Sequence, residues 1–346
     1  MPTRLTLAKY LIQERRRHAS ATGDFNALLF DIATVCKTIA STISRGAAVK
    51  VEGNKSSDAI ANEIVLKGCE WGGHFAAMSS VDMDNVYPVA PPHPRGRYLL
   101  VFDPLDGAPN IDVNGTVGTI FSVLRAPDGV KEPAAADFLQ PGATQVAAGY
   151  AIYGPYTMLV LTVGNGVQGF TYDRDIGEFI LTHPDLAIPE STQEFAINAS
   201  NERFWETPVK RYVSECLAGK TGPREVDFNM RWIASMVAEV HRILMRGGIF
   251  MYPRDTKDAQ QPGRLRLLHE ANPMAMLVEQ AGGAASTGRE RLLDVKPEQL
   301  HQRIPVLLGS KKEIDRIVRY HQEFDAGTDK PYESPLFNTR SLFRQT

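Results

Sequence analysis

The chain carries two aspartates three positions apart, Asp103 and Asp106, within the sequence DPLDG. The apolar run before them, residues 98–102, predicts a buried strand that ends where Pro104 and Gly107 enforce a turn. Carboxylates at such a point can ligate Mg²⁺, which takes one or two of them together with substrate phosphate. Two ions held this way can activate a water and stabilise the leaving oxygen of a phosphoryl transfer. An ordinary Asp/Gly turn is the alternative interpretation.

A second stretch alternates basic and apolar residues at 264–268 and leads into Glu270. Alternation places Arg264 and Leu265 on opposite faces of a strand. Arg264 can bind a phosphate through two parallel hydrogen bonds. Glu270 comes just before a helix that begins at Asn272, where it can reach a cation. These residues are candidates for phosphate and metal binding, and an edge strand with solvated arginines is the alternative.

Hydrophobic periodicity predicts the elements that position these groups. Helices are expected at residues 7–17, 24–44, 58–67, 207–217, 231–246, 272–281 and 311–321. Strands are expected at residues 98–102, 116–124, 145–153, 156–163, 167–173, 195–198, 249–253 and 305–309. A composition shift near residues 183–190 predicts a first domain at 1–185, a second at 186–325 and a loosely docked tail at 326–346. Helices and strands that alternate over two halves predict a mixed α/β (α+β) fold.

Charge and cysteine content limit the classes of function. Lys and Arg number 38 and Asp and Glu number 40, so the net charge is −2, which argues against a general nucleic-acid binder. No stretch approaches the ~18 consecutive apolar residues of a membrane span, and the N-terminus lacks the apolar region of a signal peptide. The three cysteines are widely spaced and fit neither a disulfide framework nor a zinc site. These features predict a cytoplasmic protein that binds neither nucleic acid nor membrane.

Several segments together resemble the class I fructose-1,6-bisphosphatase family. They are DPLDG (103–107), NID (110–112), GTIFS (118–122), FLQPG (138–142), MVAEVHR (236–242), GGIFMYP (247–253) and RLRLLHEANPMA (264–275). The resemblance implies a layered α-β-α-β-α sugar-phosphatase fold and a homotetramer. It also implies Mg²⁺-dependent hydrolysis, with Mn²⁺ as an alternative ion, of the 1-phosphate of fructose 1,6-bisphosphate. That reaction belongs to gluconeogenesis or the Calvin cycle.

The resemblance also implies roles for individual residues. The metal ligands would be Asp103, the Leu105 carbonyl, Asp106, Glu270 and Asp82. The catalytic residues would be Asp58, Glu52 and Asp82. The substrate-binding residues would be Asp106, Gly107, Ala108, Pro109, Asn110, Asn198, Arg231, Trp232, Tyr252, Arg264 and Glu270, with Arg231 reaching a neighbouring subunit's site.

A regulatory AMP site is implied at Thr22, Gly23, Asp24, Arg97 and Tyr98. On local grounds the segment 22–24 either caps the following helix or holds an anion at its N-terminus. Asn26 replaces a threonine of the family there, which argues against control by AMP.

The chain departs from the family pattern around the metal site. Val81 replaces a glutamate that would bridge the ions, although a mobile segment at 79–85 could bring Asp82 into its place. Ala108 and Pro109 replace two serines, so a phosphate cradle loses donors, and the loop before Asp58 is shortened. These losses predict weakened activity.

Two other functions follow from the same residues. One is a catalytically impaired regulatory homologue that keeps the sugar-phosphate pocket, and the other is a sedoheptulose-1,7-bisphosphatase. Inositol monophosphate is a further substrate to consider, and Arg264 and Asn198, which are placed for a second phosphate, argue against it.

Overall fold

The computed structural model describes residues 4–17, 23–46, 56–130, 132–258 and 261–330. In this part of the chain the α-helices are α1 (Leu7–Arg17), α2 (Gly23–Ser44), α3 (Ser57–Cys69), α4 (Ala135–Phe138), α5 (Thr207–Ala218), α6 (Met236–Arg246), α7 (Asn272–Gln280) and α8 (Lys311–Asp325).

The strands of the first half are β1 (Phe75–Ser80), β2 (Tyr87–Pro88), β3 (Tyr98–Asp106), β4 (Val117–Arg125), β5 (Ala147–Tyr153), β6 (Thr157–Thr162), β7 (Gln168–Asp173) and β8 (Glu178–His183). Those of the second half are β9 (Glu194–Ile197), β10 (Asn229–Met230), β11 (Ile249–Tyr252), β12 (Leu265–Arg266), β13 (Ala284–Ser286), β14 (Arg303–Ile304) and β15 (Val306–Gly309).

Two sheets form the framework. The first has eight strands in the order β2-β1-β3-β4-β5-β6-β7-β8, and the second has five in the order β10-β9-β11-β15-β13. In the first sheet β1 runs parallel to β3, whereas β3 to β8 pair antiparallel in sequence order. Strands β5 to β8 follow one another through short connections, which is why that part of the chain reads as dense strands, whereas a 3-10 helix separates β3 from β4 and helix α4 separates β4 from β5.

Helices cover the sheets in three layers. Helices α1 to α3 bury Leu11, Leu28 and Val65 against one face of the first sheet. Helices α6 and α7 lie between the sheets, where Val240 and Met274 pack in one core with residues from both. Helices α5 and α8 cover the far face of the second sheet. The fold is therefore the layered α-β-α-β-α arrangement that the sequence predicted.

Helix α2 is long and apolar enough to cross a membrane by length and composition alone. This differs from the prediction that no stretch of the chain approaches a membrane span. Residues at helical spacing, among them Leu28, Ile32 and Ile39, are buried against the first sheet. Such packing is expected of a core helix, so length and composition alone are weak support for a membrane span here.

Several predicted boundaries were wrong. The strand predicted to end before the DPLDG turn continues as β3 to Asp106, with a break in its pairing between Asp103 and Asp106. Pro104 is tolerated there because a bulge does not need its missing N–H. The helix predicted from residue 231 begins only at Met236. Strand β1 was missed, and it makes Ser79 and Ser80 buried strand residues rather than part of a mobile segment.

The alternating strand predicted at 264–268 was also wrong beyond Arg266. Leu267 and Leu268 are both buried, because the chain turns into a π-helix, Leu267–Ala271, that runs directly into α7. A π-helical turn adds a residue to the helix and commonly occurs at functional sites.

All three cysteines are buried and unbonded. Burial raises the pKa of the Cys36 and Cys216 thiols to about 12 and raises that of Cys69 as well. The three cysteines thus carry free thiols in this structure.

Candidate functional site

Three acidic side chains meet at the edge of the first sheet. Asp103, Asp106 and Glu270 each offer a carboxylate oxygen within 4.8 Å of the others, and all three residues are buried. The two aspartates come from the irregular end of β3, and the glutamate comes from the π-helical turn before α7. The structure thus brings together three carboxylates that lie up to 167 residues apart in the sequence, 270 minus 103.

The N-terminus of α6 holds Asp106. The Ser235 hydroxyl donates to Asp106 Oδ2 at 2.6 Å, and the Val237 and Met236 backbone N–H groups donate to this carboxylate at 2.9 and 3.2 Å. Ser235 is also the N-cap of α6, since its oxygen accepts from the backbone N–H of Ala238. Three donors and the positive end of the helix dipole stabilise a negative charge at this position.

The other two carboxylates are fixed by local backbone groups. The Arg266 N–H donates to Glu270 Oε2 at 2.7 Å across the π-helical turn. The Leu105 N–H donates to Asp103 Oδ1 at 3.0 Å, and Thr119 donates its hydroxyl to the Pro104 carbonyl inside the bulge. The bulge and the π-helical turn are therefore the two irregularities that direct Asp103 and Glu270 to one point.

Burial and mutual repulsion raise the pKa values of this group. Burial is the main cause for Asp103, whose pKa lies well above its usual value, and the charges of Glu270 and Asp106 add to it. Burial raises the pKa of Glu270 to about 7. It also raises the pKa of Asp106, against the hydrogen bonds from Ser235 and the α6 backbone. A set of oxygen-only ligands with unbalanced negative charge suits a hard cation such as Mg²⁺ or Mn²⁺.

Asp82 and Asp58 lie beside the carboxylate group but outside it. Burial raises the pKa of Asp58, and the charge of Asp82 raises it further. The Asp82 charge also raises the pKa of Asp103. The Asp82 carboxylate therefore lies near both Asp103 and Asp58, which stands in the first turn of α3. Glu52 lies outside the described residues.

Residues expected to bind the sugar phosphate form a second region. Asn198 and Tyr252 line one small pocket together with Asp255, which also pairs with Arg264 at 3.7 Å. The Glu270 charge is among those that raise the pKa of Tyr252, after burial as the main cause, so this region adjoins the carboxylates.

Trp232 adds an aromatic wall to this region. Its ring stacks on Phe250 with centroids 6.1 Å apart and lies against Tyr252 at the same distance.

The segment after Asp106 is a 3-10 helix, Ala108–Val113, with Pro109 in its first turn. Gly107 precedes it with a left-handed φ of 75°, and a Cβ there would lie 2.7 Å from the Cβ of Ser235. The Asn110 side-chain amide donates to the carbonyls of Thr116 and Ile233, so both of its N–H groups already have partners within the protein. Its contacts join this segment to the loop that carries Arg231 and Trp232.

Arg231 lies in that loop, five residues before α6, and not at the start of the helix as predicted. Its side chain is about half exposed, and its Nε lies 3.7 Å from Glu194 of the same chain. The neighbouring Met230 is exposed on the edge strand β10.

The segment with the implied AMP residues is partly described, and Thr22 lies outside the described residues. Gly23 and Asp24 begin α2 and are exposed, as is Arg97, whereas Tyr98 is buried. The ring of Phe25 packs 5.9 Å from Tyr98, which brings the start of α2 close to β3. Asn26 is buried and donates to the Leu11 carbonyl, so its amide serves the contact between α1 and α2.

Comparison with known families covers nearly the whole chain. Residues 5–184 match the family described as Fructose-1-6-bisphosphatase, N-terminal domain, and residues 188–322 match Fructose-1-6-bisphosphatase, C-terminal domain. The chain belongs to the fructose-1,6-bisphosphatase family.

Similar individual proteins support the same family assignment. A protein named fructose-1,6-bisphosphatase class 1 from Hydrogenophilus thermoluteolus is 61% identical, over 98% of this chain and 97% of its own length. A protein of the same name from Methylacidiphilum infernorum (isolate V4) is 57% identical, over 99% and 98%. The crystal structure of Leishmania major fructose-1,6-bisphosphatase in holo form superposes with a TM-score of 0.85 at 38% identity, covering 93% of this chain and all of that one.

Two arginines of this fructose-1,6-bisphosphatase family member were not among the predicted site residues. Arg266 and Arg303 both lower the pKa of Glu270 against the effect of burial, and Arg266 does the same for Asp82. Arg266 could have been found, because it stands two residues after Arg264 in the same alternating stretch. Arg303 had no signal of its own in the sequence. Its guanidinium donates to the Arg264 carbonyl, a contact between β14 and the start of β12.

Proposed function

We propose that the protein is a metal-dependent phosphatase that hydrolyses the 1-phosphate of fructose 1,6-bisphosphate to fructose 6-phosphate, in gluconeogenesis or the Calvin cycle. The observation that carries the proposal is the buried group of Asp103, Asp106 and Glu270, within 4.8 Å of one another, in a chain 61% identical to a protein of that name. Three buried like charges lower stability unless a cation offsets them, so their presence favours a metal centre over a pocket that only binds sugar phosphate.

The three carboxylates and the Leu105 carbonyl would hold Mg²⁺, or Mn²⁺ in its place, with Asp82 as an outer ligand. When bound, the ion polarises the phosphate and lowers the pKa of a water. Asp58 would accept the proton of the attacking water, and Glu52, six residues before Asp58 in the sequence, would assist. A general base works best when its pKa is near the working pH, and the raised pKa of Asp58 moves it in that direction.

The substrate is oriented by the neutral and cationic groups of the second half. Arg264 and Asn198 bind the 6-phosphate, while Tyr252 and Trp232 contact the sugar. The segment 107–110 receives the 1-phosphate next to Asp106. Ala108 and Pro109 supply fewer donors than the hydroxyls and N–H groups of two serines, which reduces the stabilisation of the transferred phosphate.

Phosphate release from fructose 1,6-bisphosphate tests the proposal. After chelation and dialysis, the protein is assayed with added Mg²⁺ or Mn²⁺, and sedoheptulose 1,7-bisphosphate and inositol 1-phosphate serve as alternative substrates. We expect metal-dependent turnover that is fastest with fructose 1,6-bisphosphate and is lost in Glu270→Gln. The matched control Glu290→Gln alters an exposed turn and should leave turnover unchanged.

A catalytically impaired regulatory homologue is the second candidate. Val81 favours it, because a valine cannot bridge two cations. In that case fructose 1,6-bisphosphate would bind, as measured by calorimetry, without phosphate release at any metal concentration. Turnover that saturates with Mg²⁺ would exclude it.

We also propose a cytoplasmic homotetramer with two domains, 1–185 and 186–325, and a tail at 326–346. Exposed Met230 and Ile233 flank Arg231, which supports a subunit contact at this loop. The first tail residues are attached, since Arg211 donates to Asp329 at 2.7 Å. Residues 331–346 lie outside the described part. Sedimentation at micromolar concentration should give four subunits, and a monomer would contradict the tetramer.

A further inference from the structure

Two histidine rings stack beside the carboxylate group. His269 precedes Glu270 in the π-helical turn and has no exposed surface, and His301 comes from the loop before β14. Their ring centroids are 5.1 Å apart and their planes differ by 3°. The two rings therefore form one rigid pair that links two segments of the second half.

Each ring also reaches the segment 79–83 of the first half. His269 Nε2 and the Ser79 hydroxyl share a buried hydrogen bond of 2.8 Å. His301 Nε2 lies 2.9 Å from the Met83 carbonyl, and it must donate because a carbonyl only accepts. Among the described residues neither Nδ1 has a partner. An unpaired lone pair costs less than an unpaired buried N–H, so both rings carry their proton on Nε2.

The segment between these two anchors is short and carries one acidic side chain, Asp82. The Val81 N–H donates to the Phe102 carbonyl in β3, and the Asp82 N–H donates to the Ser80 hydroxyl. The segment is thus held to β3 at its middle and to the histidine pair at both ends. The first two residues of the segment, Ser79 and Ser80, are also paired with β3 in the sheet, and the histidine pair connects the segment to the π-helical turn that carries Glu270.

We propose that His269 and His301 are positioning residues, which fix Asp82 at its distance from Glu270 and Asp103 in the metal site. The inference rests on the proposed phosphatase function and deepens it. Because Val81 supplies no ligand, Asp82 is the carboxylate that this segment can offer, and a displaced loop would remove it from the site. Groups that orient metal ligands typically change metal affinity or activity by about 10–100-fold when they are lost.

The two variants His301→Phe and His301→Gln separate the effect of the hydrogen bond to Met83 from the effect of ring stacking. Phenylalanine keeps a stacked ring without a donor, whereas glutamine keeps a donor near the position of Nε2. We expect His301→Phe to lower kcat about 10-fold and to raise the Mg²⁺ concentration for half-maximal rate about 10-fold, with the KM for substrate nearly unchanged. His301→Gln should remain within about 3-fold of the unmodified protein in each quantity. Ser79→Ala, which removes one buried oxygen, should resemble His301→Phe.

A purely structural role would give a different result. It would lower the thermal midpoint of both His301 variants without separating kcat from KM. The double variant His301→Phe with Asp82→Asn provides the decisive comparison. If the rings act through Asp82, adding His301→Phe to Asp82→Asn should have almost no further effect on kcat. Full additivity, or a His301→Phe variant within 2-fold of the unmodified kcat, would overturn the inference.

Mn²⁺ binding gives a readout that does not need turnover. Calorimetric titration of the same variants should show about 10-fold weaker Mn²⁺ binding for His301→Phe and near-normal binding for His301→Gln. If the unmodified chain binds Mn²⁺ but releases no phosphate, the phosphatase proposal fails while this pattern still supports the positioning role. Equal Mn²⁺ affinity in all variants would refute the positioning role alone.

Discussion

At the scale of single residues, the carboxylates that bind a cation also oppose folding without one. Asp103, Asp106 and Glu270 are buried within 4.8 Å of one another, and burial together with their charges raises their pKa values. Each retained negative charge therefore costs stability that the cation offsets.

Glu270→Gln should stabilise the metal-free protein while it removes turnover. In chelator at pH 8, above the pKa of about 7, we expect the free energy of unfolding to rise. The size of the rise is on the order of 1–2 kcal/mol, because one buried like charge is lost and the amide can still accept from the Arg266 N–H. Urea titration with EDTA gives the measurement.

The control for this substitution is Asp128→Asn, which neutralises an exposed turn residue and should change stability by less than about 0.5 kcal/mol. A metal-free Glu270→Gln protein that is less stable than the parent would show that hydrogen bonding of Glu270 outweighs its repulsion.

Val81→Glu should restore a ligand to the centre. The Val81 backbone is fixed by its hydrogen bond to Phe102, so a longer acidic side chain at this position extends from a defined point beside Asp82. We expect a sharp rise in Mg²⁺-dependent turnover, on the order of 100-fold if two ions act together, and a steeper metal dependence. Initial rates against Mg²⁺ concentration measure both. Brisk turnover in the parent with no change in Val81→Glu would favour Asp82 and Asp84 as the acidic pair.

The sequence was sufficient to find the carboxylates but not their supports. Asp103, Asp106 and Glu270 stand in recognisable strings, whereas Ser235 lies 129 residues from the aspartate it holds. No local sequence pattern predicts the contact between Ser235 and Asp106, because it forms only when the two sheets pack around α6. The donors from Arg266 and Leu105 are backbone groups, which carry no residue identity at all.

At the scale of elements, helix α6 stabilises the site through its first turn. Its N-cap Ser235 serves both the helix and Asp106. Ser235→Ala should lower the free energy of unfolding by about 1–2 kcal/mol, since a cap and a charge-assisted hydrogen bond are lost together. Without that donor the pKa of Asp106 rises further, so Mg²⁺ activation should shift to higher pH.

Thermal denaturation and the pH dependence of Mg²⁺ activation test this substitution. Ser235→Thr keeps the hydroxyl and should restore most of both properties. An unchanged pH dependence in Ser235→Ala would mean that the backbone donors of α6 alone set the pKa of Asp106.

Elements with one dominant period were predictable, and irregular ones were not. The spacing of Leu28, Ile32 and Ile39 identified α2 correctly. Strand β1 has the sequence FAAMSS. Its alanines and serines have low strand propensity, and it shows no alternation of apolar and polar residues because all six positions are buried. The bulge at Pro104 and the π-helical turn were missed since each departs from the period that reveals ordinary elements.

At the scale of the whole molecule, metal binding should be linked to stability and pH. Glu270 holds its proton to about pH 7 in the folded state but only to about 4.5 when unfolded, so the folded state loses stability as pH rises between these values. His241, whose pKa burial lowers to about 4, acts in the opposite sense below about pH 6.5. The difference between Mg²⁺-loaded and chelated protein isolates the carboxylates.

That difference in melting temperature should increase from pH 6 to pH 8, because at the higher pH Mg²⁺ meets ionised ligands without displacing protons. In Glu270→Gln the difference should be small and nearly flat. A stabilisation by Mg²⁺ that is equal at both pH values would indicate that the carboxylates are already ionised at pH 6.

The modification rates of the three buried thiols can report how fast the structure around each of them opens. Only an exposed thiolate can attack a thiol-specific reagent, so Cys36, Cys69 and Cys216 should react no faster than the surrounding structure opens. Two of these side chains lie in α2 and α3 beside the first sheet, and Cys216 lies in α5 beside the second. Mass-resolved labelling would then show whether the halves open together, with equal rates at all three, or whether the second half opens alone, with Cys216 modified first.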